Sequence, residues 1–244
     1  MAGIIAVHSM KGGVGKSSLA VNLAYLASVG GARTLLWDID AQGAASFLLG
    51  EQANTKKGAR RIFSKDAEAA SAIIPTHYDG LDLIAADLSL RQLDATLDAD
   101  KPKRLRKLLA ALKPDYDFIV LDCPPGLGLL SDQIYRAAEL VAVPLVPAPL
   151  ALRTLVQVEG HLAVEHGGKG DKPPRLLPVF SMVDRRKALH RAMLEEHPNW
   201  PAIPQASVVE QMAVKQQPLA EFAAKSPAAK AVSEVWAKVK TALG

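Results

Sequence analysis

A glycine-rich run near the start of the chain has the residue types needed to bind phosphate: Lys11-Gly12-Gly13-Val14-Gly15-Lys16-Ser17-Ser18. Glycines can turn their N–H groups inward and let the backbone approach a phosphate group without interference from Cβ atoms. Lys16 adds positive charge, and the Ser17 hydroxyl at the start of a helix can ligate Mg²⁺. We therefore predict that residues 11–18 bind the phosphates of a nucleotide.

Acidic residues follow two apolar runs farther along the chain. Asp38 and Asp40 lie in the run Trp37-Asp38-Ile39-Asp40-Ala41-Gln42-Gly43, and Asp122 ends the apolar run 118–122. A carboxylate at the carboxyl end of a strand beside a phosphate loop can hold the water shell of Mg²⁺ or orient an attacking water. We assign the water-orienting role to Asp40 and a supporting role to Asp38, with a helix or turn cap as the alternative for each. The predicted metal-binding residues are Ser17, Asp40 and Asp122.

The strands and helices that position these residues can be inferred from the sequence, in which short apolar runs alternate with longer stretches that have the period of a helix. That alternation predicts an α/β fold: a mostly parallel, twisted sheet with helices on both faces. The predicted strands are 4–8, 34–38, 81–85, 118–122, 140–144, 176–181 and 202–203. The predicted helices are 16–28, 105–112, 131–138, 154–165, 186–196 and 228–243. Segments 51–66 and 166–174 are polar and rich in Gly and Lys, so we expect exposed loops there.

Length and composition limit the class of protein. A chain of 244 residues with 49% hydrophobic residues can bury one sizeable core, so we expect a single domain over 1–244. No stretch of roughly twenty apolar residues is present for a membrane span, and the apolar run 4–7 is too short for a signal peptide. We therefore expect a cytoplasmic protein. The single cysteine, Cys123, excludes an internal disulfide framework and is expected to be a packed residue.

The phosphate-binding run also departs from the ordinary P-loop pattern, because Met10 occupies the position of its first glycine and Lys11 adds a second lysine. The run K-G-G-x-G-K-S resembles the deviant Walker A motif of the ParA/MinD family of P-loop ATPases. Residues 37–43 resemble the D-x-D-P-Q-G element of that family, with Ala41 in place of proline. Residues 116–126 resemble its Walker B strand and the switch segment (124–126) that follows. The chain is most similar to small ParA-type ATPases that have no N-terminal helix-turn-helix domain.

The resemblance implies ATP and Mg²⁺ as cofactors and a homodimer that forms when ATP is bound. In this family two protomers face each other, and the residue matching Lys11 reaches the phosphates held by the partner. Lys11, Lys16 and Asp40 are then the expected catalytic residues of a slow, partner-stimulated hydrolysis of ATP. Met182 and Pro204 are the expected base contacts. The guanine-specific N-K-x-D motif is absent from the strand ending at Ser181, which favours ATP over GTP.

The resemblance also implies nonspecific binding to double-stranded nucleoid DNA, and a mild excess of basic residues, with a net charge of +4, is compatible with it. We predict that the DNA-binding residues are Arg185, Arg186, Lys187, Arg191 and Lys215. Lys187 and Arg191 should share a helical face through their i, i+4 spacing. The alternative is a solvated helix end. A cargo adaptor or ATPase-stimulating protein, ParB-like or equivalent, is expected as a further partner.

Two other functions remain open within the same superfamily. MinD-like ATPases bind membranes through a C-terminal amphipathic helix, but the apolar face of residues 228–243 is rich in Ala and Val. That composition favours packing against the sheet, so we expect no membrane binding. A less favoured alternative is an ATP-dependent amidoligase or synthetase acting on a small carboxylate. Lys11 and the D-x-D-x-Q-G element favour the ParA-like switch.

Overall fold

The computed structural model describes residues 2–51, 62–63, 69–97, 101–165 and 172–244. Its strands are β1 (Gly3–Val7), β2 (Thr34–Asp38), β3 (Ile73–Pro75), β4 (Leu81–Ile84), β5 (Phe118–Asp122), β6 (Leu140–Leu145), β7 (Arg175–Val183) and β8 (Ala202–Pro204). They form one eight-stranded sheet in the order β3-β4-β2-β5-β1-β6-β7-β8. Only the pairing of β3 with β4 is antiparallel among these described strands.

The central strands are buried along their whole length. Every residue of β1, β2 and β6 is buried, as expected for parallel strands that are covered on both faces. The predicted α/β fold with a mostly parallel sheet is confirmed. All seven predicted strands are present, with bounds that differ by at most two residues. The sequence analysis missed β3, an edge strand of three residues that ends in proline.

The helices are α1 (Lys16–Val29), α2 (Ala44–Leu48), α3 (Leu93–Thr96), α4 (Arg104–Leu112), α5 (Leu129–Ala137), α6 (Pro149–Glu165), α7 (Ala188–Glu196), α8 (Ser207–Lys215), α9 (Leu219–Ala223) and α10 (Pro227–Leu243). Residues of α4, α5, α6 and α7 join one face of the sheet in a first apolar cluster. Residues of α1, α2, α8, α9 and α10 join the other face in a second cluster. The sheet thus lies between two packed layers of helices.

Three predicted helix starts differ from the structure by two residues or more, including that of the helix predicted from residue 131, which begins at Leu129. The helix predicted from residue 154 begins at Pro149, because proline has a helix-compatible φ and lacks only an N–H that the first turn leaves unpaired. The helix predicted from residue 186 begins at Ala188. Asp184 Oδ1 accepts the backbone N–H of Arg186, and Asp184 O accepts that of Lys187, so residues 184–187 form a turn before the helix.

The predicted loops at 51–66 and 166–174 lie mostly outside the described residues. Within the first, Ile62 and Phe63 are buried, and the Phe63 ring lies 5.6 Å from that of Trp37. The prediction of an exposed loop is therefore wrong for these two residues, since both are apolar and reach the core. In the second, Pro174 is buried whereas Lys172 and Pro173 are exposed.

Helix α10 packs on the sheet, as its composition predicts. Val235 and Val239 are fully buried, and the Trp236 ring makes an edge contact with Phe118 at 5.0 Å between centroids. The apolar face is thus covered by the core of the protein. None of the helices in the described ranges is both long enough and apolar enough to cross a membrane.

Candidate nucleotide and hydrolysis site

The glycine-rich run forms the turn between β1 and α1. Gly13 and Gly15 have φ angles of 72° and 84°, in the left-handed region that residues with a Cβ rarely adopt. A Cβ built on either glycine would meet no other atom within 4 Å, so the turn encloses open space. The loop is therefore a backbone cradle at the amino end of α1, where free N–H groups and the helix dipole favour an anion.

The two lysines of this loop have different surroundings. Lys16 begins α1 and is only 7% exposed, whereas Lys11 is exposed. One lysine is thus packed inside its own protomer, whereas the other is open to solvent. Ser17 and Ser18 follow Lys16 in the first turn of α1 and are both partly buried.

Asp38 and Asp122 end two neighbouring strands. They are paired across β2 and β5, and Asp122 is also paired with Val7 of β1, the strand that leads into the cradle. Both aspartates are fully buried. The sheet therefore places both carboxyl groups at the edge from which the phosphate loop emerges, as the sequence predicts.

Asp122 is the candidate metal ligand with the clearest geometric support. Neither of its carboxylate oxygens has a hydrogen-bond partner of normal geometry among the described residues. Burial, followed by the charge of Asp38, raises its pKa well above the usual value, and the nearby Ser17 side chain opposes that shift. A buried carboxylate without partners is costly unless a ligand or cation completes it. The oxygens of Ser17 and Asp122 fit Mg²⁺, which binds to oxygen ligands.

Asp38 is already engaged with the protein. Its Oδ2 accepts hydrogen bonds from the backbone N–H of Ser46 at 2.9 Å and from the Ser46 hydroxyl at 2.7 Å, and Oδ1 accepts the N–H of Asp40 at 3.2 Å. Burial is the main reason that the pKa of Asp38 is raised to about 6. These contacts match the alternative of a helix and turn cap, because Ser46 belongs to α2.

Asp40 lies in the turn after β2 and is partly buried. Its Oδ1 accepts the N–H of Gln42 at 3.0 Å. Asp40 also lines a cavity of about 280 Å³ together with the switch segment (124–126) and Arg91. Among the described residues, no group of three or more His, Cys, Asp or Glu side chains forms a ready-made metal site. A metal ion at this edge would therefore need ligands from water or a phosphate.

His8, which the sequence analysis missed, contacts the same segment. It follows β1 directly and is 1% exposed, with Nε2 2.9 Å from Gly126 O and Nδ1 2.7 Å from the Tyr135 hydroxyl. Only its position at the carboxyl end of a strand beside the phosphate loop could have indicated a role.

Cys123, next to the switch segment, is fully buried, and burial raises the pKa of its thiol well above the usual value. Its predicted role as a packed residue is confirmed.

The predicted base contacts lie in one cavity. Met182 and Pro204 line a space of about 110 Å³ together with Val14, Gly15 and Ser18 of the phosphate loop. Met182 is 40% exposed and has a φ of 53°, in a region where the pairing of β7 with β8 is irregular. Four helices add lining residues that the sequence does not predict: Asn22 of α1, Val209 of α8, Leu219 of α9 and Val232 of α10.

The five predicted DNA-binding residues are all exposed but do not form one helical stripe. The Arg191 Nη1 group donates to the backbone oxygens of Arg185 and Arg186, so these residues are adjacent. Arg186 makes an ion pair with Asp184 and holds the pKa of that carboxyl at about 2. Lys187 is the residue before α7, and the Arg191 N–H group bonds to Lys187 O, so the two residues keep the i, i+4 spacing at the start of the helix. Their shared face stays a prediction.

Lys215 ends a different helix, α8, with its Nζ 5.4 Å from the centre of the Phe222 ring. Arg185 and Arg191 instead line an open cavity of about 600 Å³ with Lys238 of α10. The rings of His197 and Trp200 stack at 4.1 Å along the same cavity, and Glu195 and Glu234 add negative charge. The sequence analysis missed Lys238, because its proximity to α7 depends on the packing of α10.

The chain matches one protein family and is similar to several known proteins. The AAA domain family matches residues 2–163. The sporulation initiation inhibitor protein Soj of Bacillus subtilis is 37% identical over 206 residues, covering 80% of this chain and 79% of that protein. The chromosome partitioning protein ParA of Caulobacter vibrioides is 32% identical over 201 residues, covering 79% and 74%. The crystal structure of cobyrinic acid a,c-diamide synthase from Mycobacterium smegmatis with bound ADP and magnesium has a TM-score of 0.81 and 26% identity, covering 98% of this chain and 94% of that one.

Proposed function

This chain belongs to the ParA/Soj family of P-loop ATPases, and from that premise we propose that it is an ATP-driven positioning switch. Two protomers join around bound ATP, the dimer binds DNA without sequence preference, and hydrolysis returns it to monomers. The cargo is a plasmid, a chromosome or a protein complex. We place the protein in the cytoplasm, on the nucleoid.

The arrangement of the phosphate loop supports ATP and Mg²⁺ as its ligands. Gly12 to Ser18 would hold the phosphates through backbone N–H groups, Lys16 would neutralise part of their charge, and Ser17 and Asp122 would hold the metal. When bound, Mg²⁺ would neutralise charge on the phosphate oxygens of ATP. Asp40, which lines the same cavity as the switch segment, would orient the attacking water. Met182 and Pro204 would contact the base.

The observation that carries the proposal is the contrast between Lys16, buried against its own cradle, and Lys11, exposed on the same loop. A second cation that a lone protomer does not bury is suited to a partner's phosphates. Facing triphosphates repel each other, and a lysine donated across the gap offsets that repulsion and stabilises charge that develops during phosphoryl transfer. Dimerisation then depends on ATP.

The test compares Lys11→Ala with Lys16→Ala, using light scattering for mass and a fluorescent ATP analogue for affinity. We expect Lys11→Ala to bind ATP and remain monomeric. Lys16→Ala is the control, since it should lose nucleotide affinity as well. ATP-dependent dimerisation of Lys11→Ala at the wild-type level would contradict the proposal.

DNA binding is supported by the grouping of Arg185, Arg191 and Lys238 around one open cavity. Such a cluster can contact phosphates without reading bases, and its affinity should fall steeply with salt. We expect the double charge reversal Arg185→Glu and Arg191→Glu to weaken ATP-dependent binding to a random-sequence duplex and to lower the salt slope by about two. Lys107→Glu, which reverses an exposed charge on α4, is the control. Equal anisotropy titrations for these variants would count against this surface.

An adaptor that stimulates hydrolysis completes the proposed cycle, and a ParB-like protein or an equivalent would fill that role. Its identity is best sought among proteins that co-purify with an ATP-locked Asp40→Ala dimer but not with the Lys11→Ala monomer. We expect such an adaptor to accelerate phosphate release by the wild-type protein in the presence of DNA.

A second candidate function is favoured by one observation, the 26% identity over 98% of this chain with a structure titled as a cobyrinic acid a,c-diamide synthase. A synthetase would couple ATP to a small carboxylate substrate and an amide donor. Phosphate release stimulated by such a substrate and unchanged by DNA would support the synthetase. Stimulation by DNA and an adaptor would support the switch.

A further inference from the structure

His8 joins the phosphate-loop strand to the switch segment (124–126) through its side chain. Its backbone N–H bonds to Ala142 O at 3.1 Å, which continues the pairing of β1 with β6. The imidazole then reaches Gly126, 118 residues away in the sequence, and Tyr135 of α5, 127 residues away. His8 is 1% exposed, so these two groups take the place of water as hydrogen-bond partners of the ring nitrogens.

The partners of the ring determine which nitrogen carries the proton. Gly126 O is a carbonyl oxygen and can only accept, so Nε2 must be the protonated nitrogen and the donor. Nδ1 then accepts the hydrogen bond from the Tyr135 hydroxyl. Burial lowers the pKa of His8 to about 4, and the charge of Lys16 acts in the same direction. The ring is therefore neutral at neutral pH, in one tautomer.

The contact with Gly126 lies in the middle of a turn, and each end of that turn is held by other hydrogen bonds. On one side, Cys123 N bonds to Val7 O and keeps the end of β5 in register. On the other, Gly128 exchanges hydrogen bonds with the Ser131 hydroxyl, and Leu130 N bonds to Asp94. Gly126 itself has a φ of 103°, and a Cβ built there would touch nothing within 4 Å. His8 thus holds the middle of an otherwise open turn.

We propose that His8 is a positioning residue for hydrolysis, fixing the switch segment through its Nε2–H bond to Gly126 O, with Tyr135 setting the tautomer. The switch segment closely follows Asp122 and lines the cavity that Asp40 also lines. Holding Gly126 therefore fixes the space in which a water is to be oriented. The proposal rests on the hydrolysis function proposed above, and it predicts an effect on turnover with the phosphate loop left intact.

Three variants test it. His8→Leu keeps the bulk and removes the donor. His8→Gln restores an N–H group near the position of Nε2. Tyr135→Phe removes the hydroxyl and leaves the ring. We expect kcat to fall about tenfold in His8→Leu, to recover to within about threefold of the wild type in His8→Gln, and to fall about twofold in Tyr135→Phe. The affinity for an ATP analogue should change by less than about twofold in all three.

Two measurements on the nucleotide-free protein are independent of turnover. Nitrogen-15 NMR should show His8 protonated at Nε2 and not at Nδ1, with assignment by loss of the signal in His8→Gln. The carbonyl carbon-13 shift of Gly126 should move upfield in His8→Leu, because its oxygen loses a hydrogen-bond donor, and should stay near the wild-type value in His8→Gln.

A kcat of His8→Leu within about twofold of the wild type would overturn the proposal. Equal impairment of His8→Gln and His8→Leu would do the same, since shape and not the donor would then matter. If His8→Leu fails to fold, His8→Gln, Tyr135→Phe and the tautomer decide the matter, and protonation at Nδ1 contradicts the proposal. A wild-type protein without ATP hydrolysis would contradict the proposed function, and the tautomer and the Gly126 carbonyl shift would still decide whether His8 holds Gly126.

Discussion

Asp38 and Asp122 end neighbouring strands, face each other across the pairing of β2 with β5, and are both fully buried, yet their oxygens have different surroundings. The Asp38 carboxylate accepts three hydrogen bonds, two from Ser46 and one from Asp40. The Asp122 carboxylate has none of normal geometry among the described residues. We infer that the first carboxylate shapes the loop that carries Asp40 and that the second is reserved for a ligand.

The largest expected effect comes from Asp122→Asn. Magnesium-dependent phosphate release should fall by about 100-fold or more, because the metal loses its buried anionic ligand. In the absence of nucleotide the same variant should be more stable than the wild type by about 1–3 kcal/mol, since an unpartnered buried charge is removed. Phosphate release and urea unfolding measure the two effects. Lower stability together with lost hydrolysis would contradict the assignment.

Asp38→Ala should have the opposite effect on stability. The free energy of unfolding should fall by about 1–3 kcal/mol, because the buried donors of Ser46 and Asp40 would lose their acceptor. Ser46→Ala removes one of the same bonds from the other side. A double-mutant cycle by urea unfolding should therefore give a coupling free energy between Asp38 and Ser46. Independent, additive losses would show that the bonds do not hold the loop.

The pH dependence of stability should reveal the buried pair in the protein free of nucleotide and metal. The pKa of Asp38 is about 6 in the folded protein, against 3.8 in the unfolded chain, so the folded state binds more protons between these values. Its contribution to stability is present below pH 3.8 and is lost as the pH rises through about 6. Asp122 acts in the same direction, and His8, with its lowered pKa, acts in the opposite one.

Comparing the wild type with Asp122→Asn isolates the contribution of the Asp122 carboxylate to the pH dependence of stability, because His8 is unchanged in both proteins. We expect the wild type to lose more stability than the variant between pH 4 and pH 7, measured by urea unfolding at a series of pH values. Parallel curves would mean that Asp122 has no raised pKa.

The smallest effect is expected at Asp184, which follows β7 and pairs with the exposed Arg186 at 2.9 Å. Asp184→Asn should leave the melting temperature within about 2 °C of the wild type, since a pair at the surface contributes little. Scanning calorimetry checks this. A larger shift would indicate that the turn before α7 depends on the ion pair.

The sequence predicts the strands well, because β1, β2 and β5 are short apolar runs that parallel burial requires. It also places Lys16, Asp38 and Asp122 at one edge, since motif spacing fixes which strand ends carry them. It assigns the metal to Asp122 and offers a helix or turn cap for Asp38, but it does not identify Ser46 as the partner of Asp38, because that contact is set by the fold of α2. The contacts of His8 and of Lys238 depend on helices distant in sequence, so local patterns carry no information about them.

The last turn of α10 has a practical consequence for imaging this protein in cells. Leu243 packs beside Gly3, where a Cβ would lie 3.1 Å from a Leu243 methyl carbon, at the amino end of β1. The phosphate loop emerges from the other end of that strand, a span of about 17 Å for five residues. A fluorescent protein fused after residue 244 would therefore lie near the amino end of β1, about the length of that strand away from the phosphate loop. Deleting α10 to shorten a fusion would instead remove Val232 from the cavity lined by Met182 and Pro204 and would uncover the apolar face of the sheet.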